Sequence, residues 1–197
     1  MSASKLTIHQ HTGPFPTPSS RQNPALSFLE NYVNKINSAS YTGTYLPYYH
    51  PRSIFHDTTG VDYIGGAVIW KWIQGLFGGD IFSKIDMESK EFFVIGGLNE
   101  ETTGPAGKGE WKIYGEWIAH WWVKSTGEKI SVPRSMVFTL VKAESEGTGK
   151  NLDANGEVVE EVGFEGLQIG DVRLYYDRSL LKGVFKISEQ EIDKFGA

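Results

Sequence analysis

Glu110–Lys124 constrains this chain more than any other segment. Read in steps of two, one set of residues is Trp111, Ile113, Gly115, Trp117, Ala119, Trp121 and Val123, without a charge. The alternate set is Lys112, Tyr114, Glu116, Ile118, His120, Trp122 and Lys124. Successive side chains of a strand point to opposite faces, so the pattern predicts one long strand with a dry face against helices. The second face mixes aromatic and ionisable groups, which suits a subunit interface or a polar pocket wall. Such a strand needs a large apolar partner surface. With 13% aromatic and 40% hydrophobic residues, the composition fits a packed domain around a large apolar cavity and argues against disorder.

Charge and cysteine usage remove several function classes. The net charge of −5 is concentrated in Ala143–Glu165, where Glu144, Glu146, Asp153, Glu157, Glu160, Glu161 and Glu165 face Lys150 alone. The chain has no basic stripe, so nucleic acid is not expected as a partner. Zero Cys excludes disulfides, thiolate catalysis and Cys-type zinc sites. The HxH spacing of His9 and His11 lies in the polar N-terminal arm, no HExxH-type spacing occurs, and no metal or other cofactor is expected. No apolar run approaches the roughly 20 residues that span a bilayer, and the start lacks a secretory layout. A cytoplasmic protein without a membrane partner is the expectation.

The order of elements predicts an α+β fold. Residues 1–23, polar and broken by Pro14, Pro16 and Pro18, read as a flexible arm. Asn23 can cap a helix, Pro24 suits its first position, and Leu26, Leu29, Tyr32, Val33 and Ile36 recur with helical spacing. Residues 38–50 are expected as a second short helix ending before Pro51, and 53–58 as a short strand. Gly65-Gly66 opens a third helix (Ile69, Trp72, Ile73 and Leu76 on one face) that Gly78-Gly79 closes. Strands are then expected at 81–97, 110–124, 130–143 and 167–180, with a hairpin over 125–129 containing Gly127. The acidic stretch 144–165 reads as a long insertion, and 188–197 as a tail. Together these predict a curved antiparallel sheet wrapped around N-terminal helices, with one domain over 24–187.

The chemistry concentrates at Ser53–Gly60, where His56 and Asp57 end a short apolar strand. A carboxylate at the dry end of a strand can serve as a general base, its pKa raised by apolar walls such as Phe55 or Trp70. The competing reading makes Asp57 a turn former bound to Thr58 and Thr59. Neighbouring strand residues face opposite ways, so His56 and Asp57 cannot both meet one substrate without a bulge. Tyr32 is either a packing residue or a hydroxyl donor to an oxyanion. His120, Glu116 and Tyr114 share one strand face and offer a base, an acid and a donor. That trio is a rival site if its face is the pocket, and interfacial if it meets another subunit. Arg134 can clamp a carboxylate or enolate oxygen, or pair with Glu116 across adjacent strands.

The helix with Tyr32-Val33 and Ile36-Asn37, the Ser53–Gly60 segment with its following Gly-Gly helix, Val132-Pro133 and Asp171–Tyr176 together resemble the NTF2-like superfamily. That is the cone-shaped α+β fold of ketosteroid isomerases, SnoaL-like polyketide cyclases and scytalone dehydratases. The resemblance covers about 24–187 and is nearest the SnoaL-like and fungal-type relatives. It implies that Asp57 stands at the catalytic base and Tyr32 at the oxyanion-hole tyrosine. Where ketosteroid isomerases carry a protonated Asp after the proline, this chain has Arg134, Ser135 and Met136. Ser135 is a weaker donor and Arg134 a different electrophile. Phe93 stands where scytalone dehydratases have a catalytic His, with His120 near their other one.

Catalytic roles are thus expected for Asp57, Tyr32, His120 and Arg134, and substrate contacts for His56, Trp70, Phe93, Tyr114, Glu116 and Ser135. The implied activity is cofactor-independent isomerisation, cyclisation or dehydration of a small, largely apolar polyketide, terpenoid or alkaloid. The alternative is a non-catalytic module of the same fold that binds a small ligand or a protein. A homodimer through the outer sheet face is expected, because a monomer would leave an aromatic face wet.

Overall fold

The computed structural model describes residues 6–15, 17–38, 41–77, 82–101, 104–144, 151–152, 158–160, 162–177 and 179–182. The C-terminal tail, the Gly78-Gly79 helix stop and most of the acidic insertion lie outside these residues. A seven-stranded sheet carries the fold, in the order β1 (Thr7–Thr12), β4 (Phe82–Glu101), β5 (Lys108–Val123), β6 (Lys129–Lys142), β9 (Leu167–Tyr176), β2 (Tyr49–His56), β3 (Asp62–Ile64). Helices α2 (Pro24–Asn37) and α3 (Gly66–Phe77) pack on its inner face, and α1 (Pro18–Arg21) precedes them. Strands β7 (Asn151–Leu152) and β8 (Val158–Glu160) form a separate hairpin inside the acidic insertion. A short helix, α4 (Ser179–Lys182), follows β9.

The register explains the two faces of the long strand. Val94, Ile113, Phe138, Val172 and Phe55 stand side by side across β4, β5, β6, β9 and β2, all buried inward. On the next row, Phe93, Tyr114, Val137, Arg173 and His56 point outward. Register shifts at Ser89/Glu91, Gly96/Glu100 and Thr139/Leu140 bend the sheet around the helices, since each bulge adds twist and curvature. Gly115 lies on the inner side, where a Cβ would come within 2.7 Å of the Phe92 ring. Its absence lets Phe92 and Trp117 meet edge to face at 4.7 Å. Asn23 caps α2 as its sequence predicts, its side chain accepting from the Ala25 and Leu26 amides. The architecture is of the α+β class, a curved sheet wrapped around N-terminal helices as the order of elements predicts. Among the described residues no helix is long and apolar enough to cross a membrane.

Several expectations change. The sheet is mixed: β2 runs parallel to β9, because the early strand is brought beside the last one in the same direction. Residues 41–48 are turn rather than helix; Gly43 has φ +92°, outside the helical range, and the Tyr45 carbonyl accepts from the Tyr48 and Tyr49 amides. Strand β2 accordingly begins at Tyr49 and runs through Pro51. The arm is not loose over 7–12. It pairs with β4 from Thr7–Gly96 to Thr12–Glu91, with His11 buried and stacked against Phe15 and Phe92. The last strand stops at Tyr176, where the Asp177 carboxylate accepts from the Ser179 amide and starts α4.

Candidate functional site

The inner face of β6 reads Ile130, Val132, Arg134, Met136, Phe138, Leu140, with one charge among apolar side chains. Arg134 is only 9% exposed. It stands cross-strand from Trp117 on β5 and Tyr176 on β9, and its guanidinium carbon lies 4.8 Å from the Trp121 ring centre and 5.7 Å from that of Tyr176. The cation is therefore flanked by aromatic rings from both neighbouring strands. Among the described residues, its Nε and Nη2 have no hydrogen-bond partner. Burial lowers its pKa to about 10, while Tyr176, Tyr32 and Asp57 pull the other way, so it is charged at neutral pH. Among the described residues no carboxylate forms an ion pair with it, and burying an unpaired ion is strongly unfavourable, which makes Arg134 a candidate site residue.

Five further residues act on the same interior. Tyr32 projects from α2 and shares a 2.6 Å hydrogen bond with the Tyr49 hydroxyl. Burial pushes Tyr32 up to about 12, against the Tyr49 hydrogen bond and the Arg134 cation, and drives Tyr49 well above its ordinary value. Asp57 follows β2, half-buried, and its charge is felt by both Arg134 and Tyr63. Strand alternation places Asp57 on the same side as Phe55 and opposite His56. The expected turn chemistry is also present: Thr59 Oγ1 donates to Oδ2 at 2.9 Å, Thr58 Oγ1 to Oδ1 at 3.4 Å, and the Gly60 amide to the Asp57 carbonyl. Tyr63 and Tyr176 complete the set, Tyr63 raised by burial and then by Asp57 and Tyr176.

The other candidate residues lie elsewhere. His56 faces outward, with Nδ1 2.7 Å from Asp62 Oδ1 and Nε2 2.9 Å from Asp171 Oδ2. Tyr114, Glu116, Phe93 and Ser135 are exposed on the outer face. His120 is on that face too, 2.8 Å from Ser131 Oγ and 3.1 Å from Glu88 Oε2. The trio Tyr114, Glu116 and His120 therefore does not share the interior with Arg134. Nor do Arg134 and Glu116 pair: Glu116 is opposite Ser135, one residue off, which turns the two side chains to opposite faces. Trp70 is a core residue of α3 whose indole donates to the Gly43 carbonyl at 3.1 Å and stacks on Tyr48. Among the described residues no three His, Asp or Glu side chains are placed to hold a metal.

Sequence reasoning overlooked Tyr49, Tyr63, Tyr176 and Trp121 as site residues. The findable signal was the phase of β6, in which Arg134 is the only charge on the apolar set.

No family model and no curated protein matches the chain. Among solved structures it is similar to ActVI-ORFA from Streptomyces coelicolor, at 10% identity over 79% of this chain and 96% of that one, TM-score 0.49. It is also similar to Aln2 from a Streptomyces species, at 14% identity over 86% and 99%, TM-score 0.48. A third is a protein described as a SnoaL-like polyketide cyclase from Shewanella denitrificans, at 12% identity over 85% and 96%, TM-score 0.46. The likeness gives no residue a role.

Proposed function

We propose that the chain is a cofactor-independent enzyme of the isomerase, cyclase or dehydratase kind, moving a proton on a small, largely apolar molecule such as a polyketide, terpenoid or alkaloid. The observation that carries this reading is Arg134, a buried cation with free N–H groups in an aromatic interior within the field of Asp57. Asp57 takes the proton. The negative charge then developing on the substrate oxygen is stabilised by Arg134, with Tyr32 and Tyr49 as a coupled hydroxyl pair behind it. A positioned base contributes about 10²–10⁴-fold. A pre-aimed donor to the oxyanion contributes about 10²–10³-fold more. Deuterium wash-in at the acidic carbon of 2-tetralone, followed by NMR, reports proton abstraction without knowledge of the natural substrate. The wild-type protein is expected to accelerate exchange over buffer, and Asp57→Asn to lose at least a hundredfold of that. Equal rates for the two proteins would remove Asp57 as base.

One observation favours a second reading, a module that binds a small ligand or a protein without chemistry. The Asp57 oxygens already accept from Thr58 and Thr59, and the Tyr32 hydroxyl is paired with that of Tyr49, so among the described residues the free donors of this interior are those of Arg134 and the Trp117 and Trp121 indoles. Absence of catalysed exchange, together with ligand binding that Asp57→Asn leaves intact, would favour that module.

A further inference from the structure

The unpartnered atoms of Arg134 define more than a charge. Nε and Nη2 form one edge of the guanidinium, the side-on fork whose two parallel N–H bonds match the two oxygens of a carboxylate. Both atoms are closed to solvent, with Trp121 and Tyr176 against the cation from β5 and β9, so only an acceptor admitted to the interior can satisfy that edge. Arg134 supplies one positive charge, which matches a singly rather than a doubly charged ligand group. The surrounding Tyr32, Tyr63, Tyr176 and Trp121 offer ring surface to an unsaturated body.

We infer that the natural ligand of this interior carries a carboxylate on a flat, conjugated framework, held side-on by Nε and Nη2 of Arg134. The inference rests on the Arg134 interior being the substrate site, as proposed above. It does not require that Asp57 perform catalysis. The carboxylate is an anchor: it neutralises the buried cation and fixes the framework, so the carbon presented to Asp57 is set by its distance from the acid group.

Titration calorimetry with 2-naphthoate, its neutral isostere 2-naphthamide and 2-naphthyl phosphate tests this on the full chain. 2-Naphthoate is expected to bind wild-type protein at least tenfold more tightly than either of the others. Arg134→Lys keeps the charge but loses the fork and is expected to weaken 2-naphthoate at least tenfold. Arg134→Met should bind acid and amide alike, and its melting curve verifies that it is folded. Asp57→Asn should bind 2-naphthoate as tightly as wild type or more tightly, because a nearby negative charge is gone. No 2-naphthoate binding, an amide as tight as the acid, or an Arg134→Lys protein equal to wild type would each overturn the inference. Tighter binding of the phosphate would overturn it in favour of a phosphomonoester. If 2-naphthoate binds through Arg134 while 2-tetralone exchange is absent, the carboxylate site stands and proton transfer by Asp57 falls.

Discussion

Arg134 carries its charge where hydrophobic neighbours would be more stabilising than any ion without a partner. Replacing buried ionic groups with apolar ones of similar volume commonly leaves stability unchanged or raises it by about 1–4 kcal/mol. Arg134→Met is therefore expected to melt higher than wild type, by about 2–4 °C for each kcal/mol gained in a chain of this size. Scanning calorimetry checks it, and a lower melting temperature would mean that Arg134 supports the fold. A stabilising substitution that also abolishes anion binding would identify a residue retained for function at the expense of stability. At this scale the sequence was partly legible. Asp57, Tyr32 and Arg134 could be selected by residue type and place. The partners Tyr49, Tyr63 and Tyr176 could not, because they come from β2, β3 and β9, and only the register brings those elements to one interior.

Strand β1 shows the same limit for an element. A segment of Thr7–Thr12 is too short and polar to declare itself a strand, and its stability comes from β4 and from the Phe15 and Phe92 rings stacked on His11, none of which lies in its own sequence. Long β5, by contrast, was legible nearly to its ends, because its alternation persists over many residues. The His11 ring gives β1 a pH dependence. Burial among Phe15 and Phe92, and then the nearby His9, lower the His11 pKa from 6.5, with a backbone contact at Gly13 opposing them. A released arm would bind a proton more readily than the docked one. Docking is therefore at full strength above pH 6.5 and weakens as pH falls below it. Amide exchange over residues 7–12 is expected to accelerate between about pH 7.5 and pH 5, after correction for intrinsic rates. His11→Phe should flatten that dependence while keeping the stack. His50, also lowered by burial and held by Glu144, adds its own acid sensitivity, which a local readout over 7–12 excludes. Unchanged protection across this range in wild type would contradict the buried His11.

For the whole molecule, the open demand is the outer face of the sheet. Phe93 is 43% exposed, Tyr114 41% and Tyr175 52%, and Phe93 and Tyr114 are direct cross-strand partners. Around this aromatic centre lie polar and charged groups: Glu116, the His120–Glu88 pair with Lys90 on Glu88, and Lys84 and Lys129 over Trp122. An apolar centre with a polar rim is the anatomy of a subunit interface. The outer row Phe93, Tyr114, Val137 and Arg173 spans four adjacent strands, so a second copy turned by a two-fold axis can lay the same row against it, as closed dimers do. The inner face cannot serve, because α2 and α3 already cover it. The sequence made the face legible but not its fate, since the alternation of β5 fits an interface and a pocket wall equally well. Light scattering of the full chain at micromolar concentration is expected to give twice the 22.0 kDa chain mass. Tyr114→Glu, which puts like charges opposite each other at the centre, should return it to one chain mass with 2-naphthoate binding unchanged, because Arg134 lies on the opposite face. A wild-type mass near that of one chain would rule the dimer out. A mutant that lost both the dimer and the ligand would instead mean that the two faces are coupled through the sheet.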